Sequence, residues 1–145
     1  MEFLKVEEED LTTILDIENK SFIHPYKMKD LIYELKENPV SYFYKCVDES
    51  VIKGFIIFWI TFDSATICQV ATKEEYRKQG VADYLVKESE KILKKENVEF
   101  YTLEVRASNL KAQNLYLKNG FSKITTKERY YDNGEDAIYM VKGEI

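Results

Sequence analysis

The chain has 145 residues, 45% of them hydrophobic and 32% charged, with 21 Lys+Arg against 26 Asp+Glu for a net charge of −5. This length and balance suit a single domain with its own core, and they argue against a disordered chain or one that coats nucleic acid directly. The longest apolar run, Gly54–Ile60, is strand-sized and far short of the ~18 residues of a membrane-crossing helix. The acidic start, Met1 to Asp10, lacks the basic head and apolar middle of a secretion signal, so a soluble cytoplasmic protein is expected, without a membrane partner. Cys46 and Cys68 are far apart and outside any C-x-x-C, and read as free buried thiols. His24 is the only histidine, which leaves little for a catalytic triad and nothing for a metal cluster.

In chain order, Phe3–Val6 reads as a short strand. Asp10 then stands as a candidate N-cap for a helix carrying Leu11, Ile14, Leu15 and Ile17 at helical spacing. The segment Phe22–Tyr26, with His24-Pro25, breaks that helix. A second, Lys27–Glu37, has Met28, Leu31, Ile32 and Leu35 on one face. The period then changes to two: Ser41–Val47, Ile52–Phe62 and Ala65–Thr72 read as strands. Val81–Glu96 returns to helix, with Ala82, Leu85, Val86, Ser89, Ile92 and Leu93 in one stripe and Lys94-Lys95 suiting its C-terminal dipole. Val98–Val105 is a strand and Leu110–Lys118 a short helix ended by Asn119-Gly120. Phe121–Arg129 and Ala137–Val141 are closing strands around an Asp132–Asp136 turn. The order β-α-α-β-β-β-α-β-α-β-β implies a mixed α/β sheet covered by helices, with no repeat and no internal boundary.

Between the third long strand and its helix lies Tyr76-Arg77-Lys78-Gln79-Gly80-Val81-Ala82. A glycine at a helix entry lets backbone approach a ligand, and the unpaired amides of the first turn favour an anion such as a pyrophosphate. A plain tight turn would also explain this glycine. Neither G-x-x-x-x-G-K-[ST] nor G-x-G-x-x-G is present.

Arg77-Lys78-Gln79-Gly80-Val81-Ala82 resembles the R/Q-x-x-G-x-G/A loop of the GNAT N-acetyltransferase superfamily. The likeness continues through Thr102–Asn109, Ala112, Leu115-Tyr116, Gly120-Phe121, Arg129-Tyr130-Tyr131 and Gly134–Ala137, which are similar to RimI-type ribosomal-protein alanine N-acetyltransferases. Pro25-Tyr26 is similar to that group's substrate-side loop. The resemblance implies a GNAT fold: a mixed β-sheet splayed near its middle, flanked by helices.

It also implies acetyl-CoA as co-substrate and no metal. Val70, Ala71 and Thr72 would offer amides to the pantetheine arm and the thioester carbonyl. Arg77, Lys78, Gln79, Gly80, Val81, Ala82 and Asp83 would hold the pyrophosphate, and Asn109 would contact CoA. Read from the residues alone, Val70–Thr72 is an ordinary buried strand and Asn109 an N-cap.

By the same resemblance Glu104 is a general base, direct or through water, and Tyr116 a proton donor to the departing thiolate. Alternation alone makes Glu104 the partner of some basic residue, and Tyr116 half-buried packing. Pro25, Tyr26, Arg106, Tyr130 and Tyr131 would line the acceptor side, with Glu135 and Asp136 adding negative charge for a basic protein tail. The implied partner is a protein N-terminus, with alanine of a ribosomal protein favoured, and the enzyme would be a monomer or weak dimer. Other amines, or a CoA-binding regulatory module without turnover, are the alternatives. Arginine occurs only at 77, 106 and 129, all in the matched segments, while the other 18 basic residues are Lys. That placement is expected where a planar fork of donors is required.

Overall fold

The computed structural model describes residues 1–145. The strands are β1 (Glu2–Lys5), β2 (Ser41–Asp48), β3 (Val51–Thr61), β4 (Ser64–Thr72), β5 (Phe100–Arg106), β6 (Ser122–Lys127) and β7 (Ala137–Gly143). The helices are α1 (Leu11–Ser21), α2 (Met28–Ile32), α3 (Val81–Lys95) and α4 (Leu110–Lys118). All seven strands form one mixed sheet in the order β1-β2-β3-β4-β5-β7-β6.

Strand β3 explains the layering. Phe55, Ile56, Ile57 and Phe58 are consecutive and all fully buried, as expected where helices cover both faces of a sheet. Ile56 and Phe58 join Leu85 and Leu93 of α3, Tyr116 of α4, and Tyr101, Leu103 and Met140. Phe55 and Ile57 pack on the opposite face with Ile14 and Ile17 of α1 and Leu31 of α2.

The splay lies between β4 and β5. Their parallel pairing covers only Ser64–Thr66 against Phe100–Thr102, reinforced by a 2.9 Å hydrogen bond between the Thr66 and Thr102 hydroxyls. Beyond it, Gln69 stands opposite Ile57 and Ile67 opposite Phe58, so Cys68 is a bulge residue that bends β4 away.

Four details differ from expectation. Asp10 does not cap α1: its backbone is already helical, and Oδ2 accepts from Glu7 N at 2.8 Å and Lys45 Nζ at 2.6 Å. The second helix is α-helical only to Ile32 and then widens into a π-turn, Tyr33–Glu37, closed by Asn38 N donating to Tyr33 O. There Glu34 accepts from Trp59 Nε1 and Asn38 Nδ2. Val98 does not start a strand, because Asn97 takes a left-handed φ of 58° and Val98 N donates back to Leu93 O, closing α3. Strand β6 stops at Lys127 rather than Arg129, whose φ of 50° turns its amide onto Asp136 Oδ1.

Gly54 marks where β3, β4 and the start of α3 converge. A Cβ there would sit 2.6 Å from Ala71 O and 2.9 Å from Val81 Cγ1. Gly54→Ala is therefore expected to cost about 1–3 kcal/mol of stability through overpacking, read from chemical denaturation. An unchanged midpoint would mean that β4 and α3 separate freely here.

Candidate active site

The strand-to-helix loop is built to leave amides free. Arg77 Nε donates to Thr72 O at 3.3 Å, tying the loop to the end of β4. Lys78 and Gly80 both have positive φ, 63° and 80°. A Cβ at Gly80 would meet no protein atom within 4 Å, so its requirement is conformational and the loop's outer side is open. The amides of Lys78, Gln79 and Gly80 donate to no group in the chain. Those of Val81, Ala82 and Asp83 form the first turn of α3, where no intrahelical acceptor exists. Six consecutive donors at a helix N-terminus suit a pyrophosphate.

Along β4, Lys73 N donates to Lys53 O. Counting back by antiparallel alternation, Ala71 bonds across to Phe55, while Val70 and Thr72 turn their polar groups toward the gap. The Arg77 bond to Thr72 O is made on that same side. The expected set of three amides thus narrows to Val70 and Thr72, with Ala71 spent on the ladder and its side chain buried against α1 and α2.

Asp83 links the loop to α4. Its carboxylate accepts from Asn119 Nδ2 at 2.9 Å and pairs with Lys87 at 2.6 Å, which holds it below the usual carboxylate range. Asn119 Nδ2 also donates to Leu115 O, locking the end of α4. At the other end Asn109 Oδ1 accepts from Ala112 N, so the N-cap reading is correct and only its amide nitrogen is left for a ligand. Tyr116 lies between these anchors, 6% exposed, with its ring edge-on to Phe121. Burial, then the neighbouring Tyr131, push its phenol up, so it stays protonated through the neutral range.

Glu104 is directly opposite Tyr139 of β7, on the face carrying α1 and α2. Its Oε1 lies 2.7 Å from Lys127 Nζ. Arg106 stacks over the Tyr131 ring at 4.0 Å and donates through Nη1 to Asn133 Oδ1 and Glu135 Oε1. Glu135 Oε2 accepts from Ser108 N, and Asp136 accepts from Arg129 N. Glu135 therefore fastens the β6–β7 loop to the end of β5, and the negative charge expected of it for a basic tail is already partnered by Arg106, whereas the Asp136 carboxylate closes the loop on itself through a backbone amide. Arg106 grips the loop by stacking and through Nη1 alone, so its contacts do not use the fork of donors expected of it. Tyr130 and Tyr131 pack edge-to-face, 5.0 Å apart, at that loop.

Across the gap, Tyr26 N donates to Glu18 Oε2, and Gln69 Nε2 donates to the same oxygen, both at 2.9 Å. Glu18 has no exposure, and burial pushes its carboxyl up. Pro25-Tyr26 is thereby pinned to the β4 bulge. Cys68 beside it has its thiol pushed up by burial, then by the charges of Glu34 and Glu104, and is no nucleophile at neutral pH. His24 is exposed and without a partner.

Residues that sequence reasoning passed over are Glu18, Gln69, Gln113, Lys127 and Tyr139. Gln113, 3% exposed, donates to Arg106 O and Ala107 O and shapes the turn into α4. None carries a recognisable local signal: Gln69 meets Glu18 across 51 residues and Lys127 meets Glu104 across 23, and the bond from Tyr26 N to Glu18, eight residues apart, spans the break after α1.

The profile of the Acetyltransferase (GNAT) family matches residues 11–121. The chain belongs to the GNAT acetyltransferase family. It is an acetyl-CoA-dependent N-acetyltransferase, and the free amides of the Lys78–Asp83 loop and of the β4 edge fit that co-substrate. A Bacillus subtilis (strain 168) relative, named provisionally as a ribosomal protein bS18-alanine N-acetyltransferase, is 35% identical over 133 residues, covering 91% of this GNAT chain and 88% of its own length. An N-alpha-acetyltransferase of Saccharolobus solfataricus is 33% identical over 147 residues, covering 92% of this chain and 87% of its own. The crystal structure of the Escherichia coli ribosomal-protein-S18-alanine N-acetyltransferase superposes with a TM-score of 0.88 at 28% identity, over 98% of this chain and 92% of that one. No helix of the enzyme is long and apolar enough to cross a membrane.

Proposed function

We propose that this GNAT enzyme acetylates the α-amine of protein N-termini in the cytoplasm, with an N-terminal alanine of a ribosomal protein as the favoured acceptor. The carrying observation is Glu104 beside the open gap, with Tyr139 opposite it and the Tyr130-Tyr131 loop fixed next to it by Arg106 and Glu135. The B. subtilis and S. solfataricus relatives, named for acetylation of protein N-termini, support the same class of acceptor.

In this reading the Lys78–Asp83 amides hold the pyrophosphate, and Asn109 Nδ2 adds a CoA contact. Val70 and Thr72 hold the pantetheine arm, and an amide at this edge polarises the thioester carbonyl, the placement an oxyanion needs. Pro25 and Tyr26 wall the acceptor on one side, and Arg106, Tyr130 and Tyr131 on the other. An α-ammonium, of pKa about 8, cannot attack until it loses a proton, and Glu104 accepts it directly or through water. Tyr116 donates to the CoA sulfur as the C–S bond breaks. The protonated state of Cys68 favours direct transfer over an acyl-enzyme.

A peptide-panel acetylation screen tests this. Peptides with a free N-terminal alanine and a basic tail are expected to gain one acetyl group at the α-amine, read by mass spectrometry. Acetylation confined to lysine side chains of N-blocked peptides, or to small amines, would replace the proposed acceptor. Acetyl-CoA binding without any transfer would point to the regulatory reading.

A further inference from the structure

One oxygen of Glu104 already holds a cation. Lys127 Nζ stands 2.7 Å from its Oε1, 4.6 Å from the centre of the Tyr139 ring and 5.5 Å from that of Tyr130. A carboxylate framed by two aromatic faces is a site for an ammonium group. The strand registers enforce the arrangement: Glu104 of β5 faces Tyr139 of β7, which faces Thr125 of β6, and Lys127 lies two residues further on the same face. The other groups around Glu104 are Tyr131 from the loop, Cys68 from the β4 bulge and Arg106 on its own strand, and Arg106 is held by Glu135. Lys127 is thus the cation seated at the proposed base.

We infer that Lys127 is a resident competitor for the acceptor's ammonium, so that acceptor binding at Glu104 is an exchange of one ammonium for another. The inference rests on the reading of Glu104 as the group that receives the acceptor amine. The pair is built to exchange: the Lys127 side chain is 40% exposed and that of Glu104 22%, and solvent-reached ion pairs of this kind are weak. Lysine's four-carbon stem lets the charge swing into water without moving the strand.

The device has a use at both ends of the reaction. A ligand with an ammonium replaces what Lys127 supplied to Glu104. The acetylated product carries a neutral amide, offers the carboxylate an N–H but no charge, and is displaced as Lys127 returns.

The test measures equilibrium binding to the CoA-loaded enzyme of an alanine-initiated hexapeptide and of its des-amino analogue, with propionyl in place of alanyl. Lys127→Met is expected to bind the amino peptide about three- to tenfold more tightly, with the affinity for the des-amino peptide unchanged. The acceptor KM should fall by a similar factor while the acetyl-CoA KM stays constant. Lys127→Arg, which keeps a cation, should behave as wild type. A preference for the amino peptide that is unchanged or reduced in Lys127→Met, in a variant whose thermal unfolding matches wild type, overturns the inference. Glu104→Gln separates the two assignments. If it abolishes the amino preference while Lys127→Met leaves it untouched, only the competitor role fails. If wild type shows no amino preference and Glu104→Gln changes nothing, the reading of Glu104 itself fails.

Discussion

Glu104→Gln is expected to lower kcat/KM by about 10²- to 10⁴-fold near pH 6.5, with the deficit shrinking as the pH rises towards about 9. The amide keeps the size of the side chain and can still accept a hydrogen bond, so β5 and its register with Tyr139 should survive. What disappears is the proton acceptor. With the base gone, only acceptor already neutral in solution can react, and below the amine pKa of about 8 that fraction falls tenfold per pH unit. The variant's rate should therefore climb with unit slope up to about pH 8 and then level, converging on wild type at the alkaline end. A deficit that is the same at every pH would remove Glu104 both from proton transfer and from binding the acceptor's ammonium form.

The second large effect concerns the leaving group. Tyr116→Phe removes one hydroxyl from a ring already fixed edge-on against Phe121 between the anchored ends of α4, so packing should be preserved. Turnover should drop about tenfold to a hundredfold, less than full general-acid loss elsewhere, because a thiolate of pKa about 8.5 departs tolerably well unaided. Acetyl-CoA affinity should stay near wild type. Burial keeps the wild-type phenol protonated well above the neutral range, so its ionisation contributes no decline in rate across pH 6 to 9, and the variant's profile should have the same shape. If the substitution instead weakens acetyl-CoA binding with turnover intact, Tyr116 is a contact and not a donor.

The parts of this enzyme legible in the sequence are those whose signal is local. Alternation in Thr102–Arg106 places Glu104 on one face, the stripe Leu85–Leu93 fixes α3, and the glycine before Val81 reports an open helix start; each is confined to a few consecutive residues. The splay is expected only from the resemblance to the GNAT family, which the motifs in their order carry. What escaped is set by pairings over long separations. Lys45 reaches Asp10 across 35 residues, Asn119 reaches Asp83 across 36, and Gln69 reaches Glu18 across 51. Asp10 illustrates the failure: its residue type suits a helix cap, but Lys45 and the Glu7 amide claim its carboxylate first. Glu135 is a parallel case, read as free charge until Arg106 and Ser108 come within reach. The π-turn at Tyr33–Glu37 has no sequence pattern of its own. It places Glu34 to take the Trp59 indole, a demand arising from another strand.

The short seam between Ser64–Thr66 and Phe100–Thr102 has a consequence beyond making room for a substrate. It divides the sheet into two lobes, β1–β4 and β5–β7–β6, each made from a nearly continuous stretch of chain, with α3 as the covalent strap. Lobes assembled from local sequence are natural cooperative units, and their mutual docking is the weakest joint of the sheet. Bound as proposed, wedged between them, acetyl-CoA would work as a keystone. Its binding free energy adds directly to the cohesion of the folded state. Catalytic readiness and the lifetime of the fold are then governed by one variable, the local concentration of acetyl-CoA.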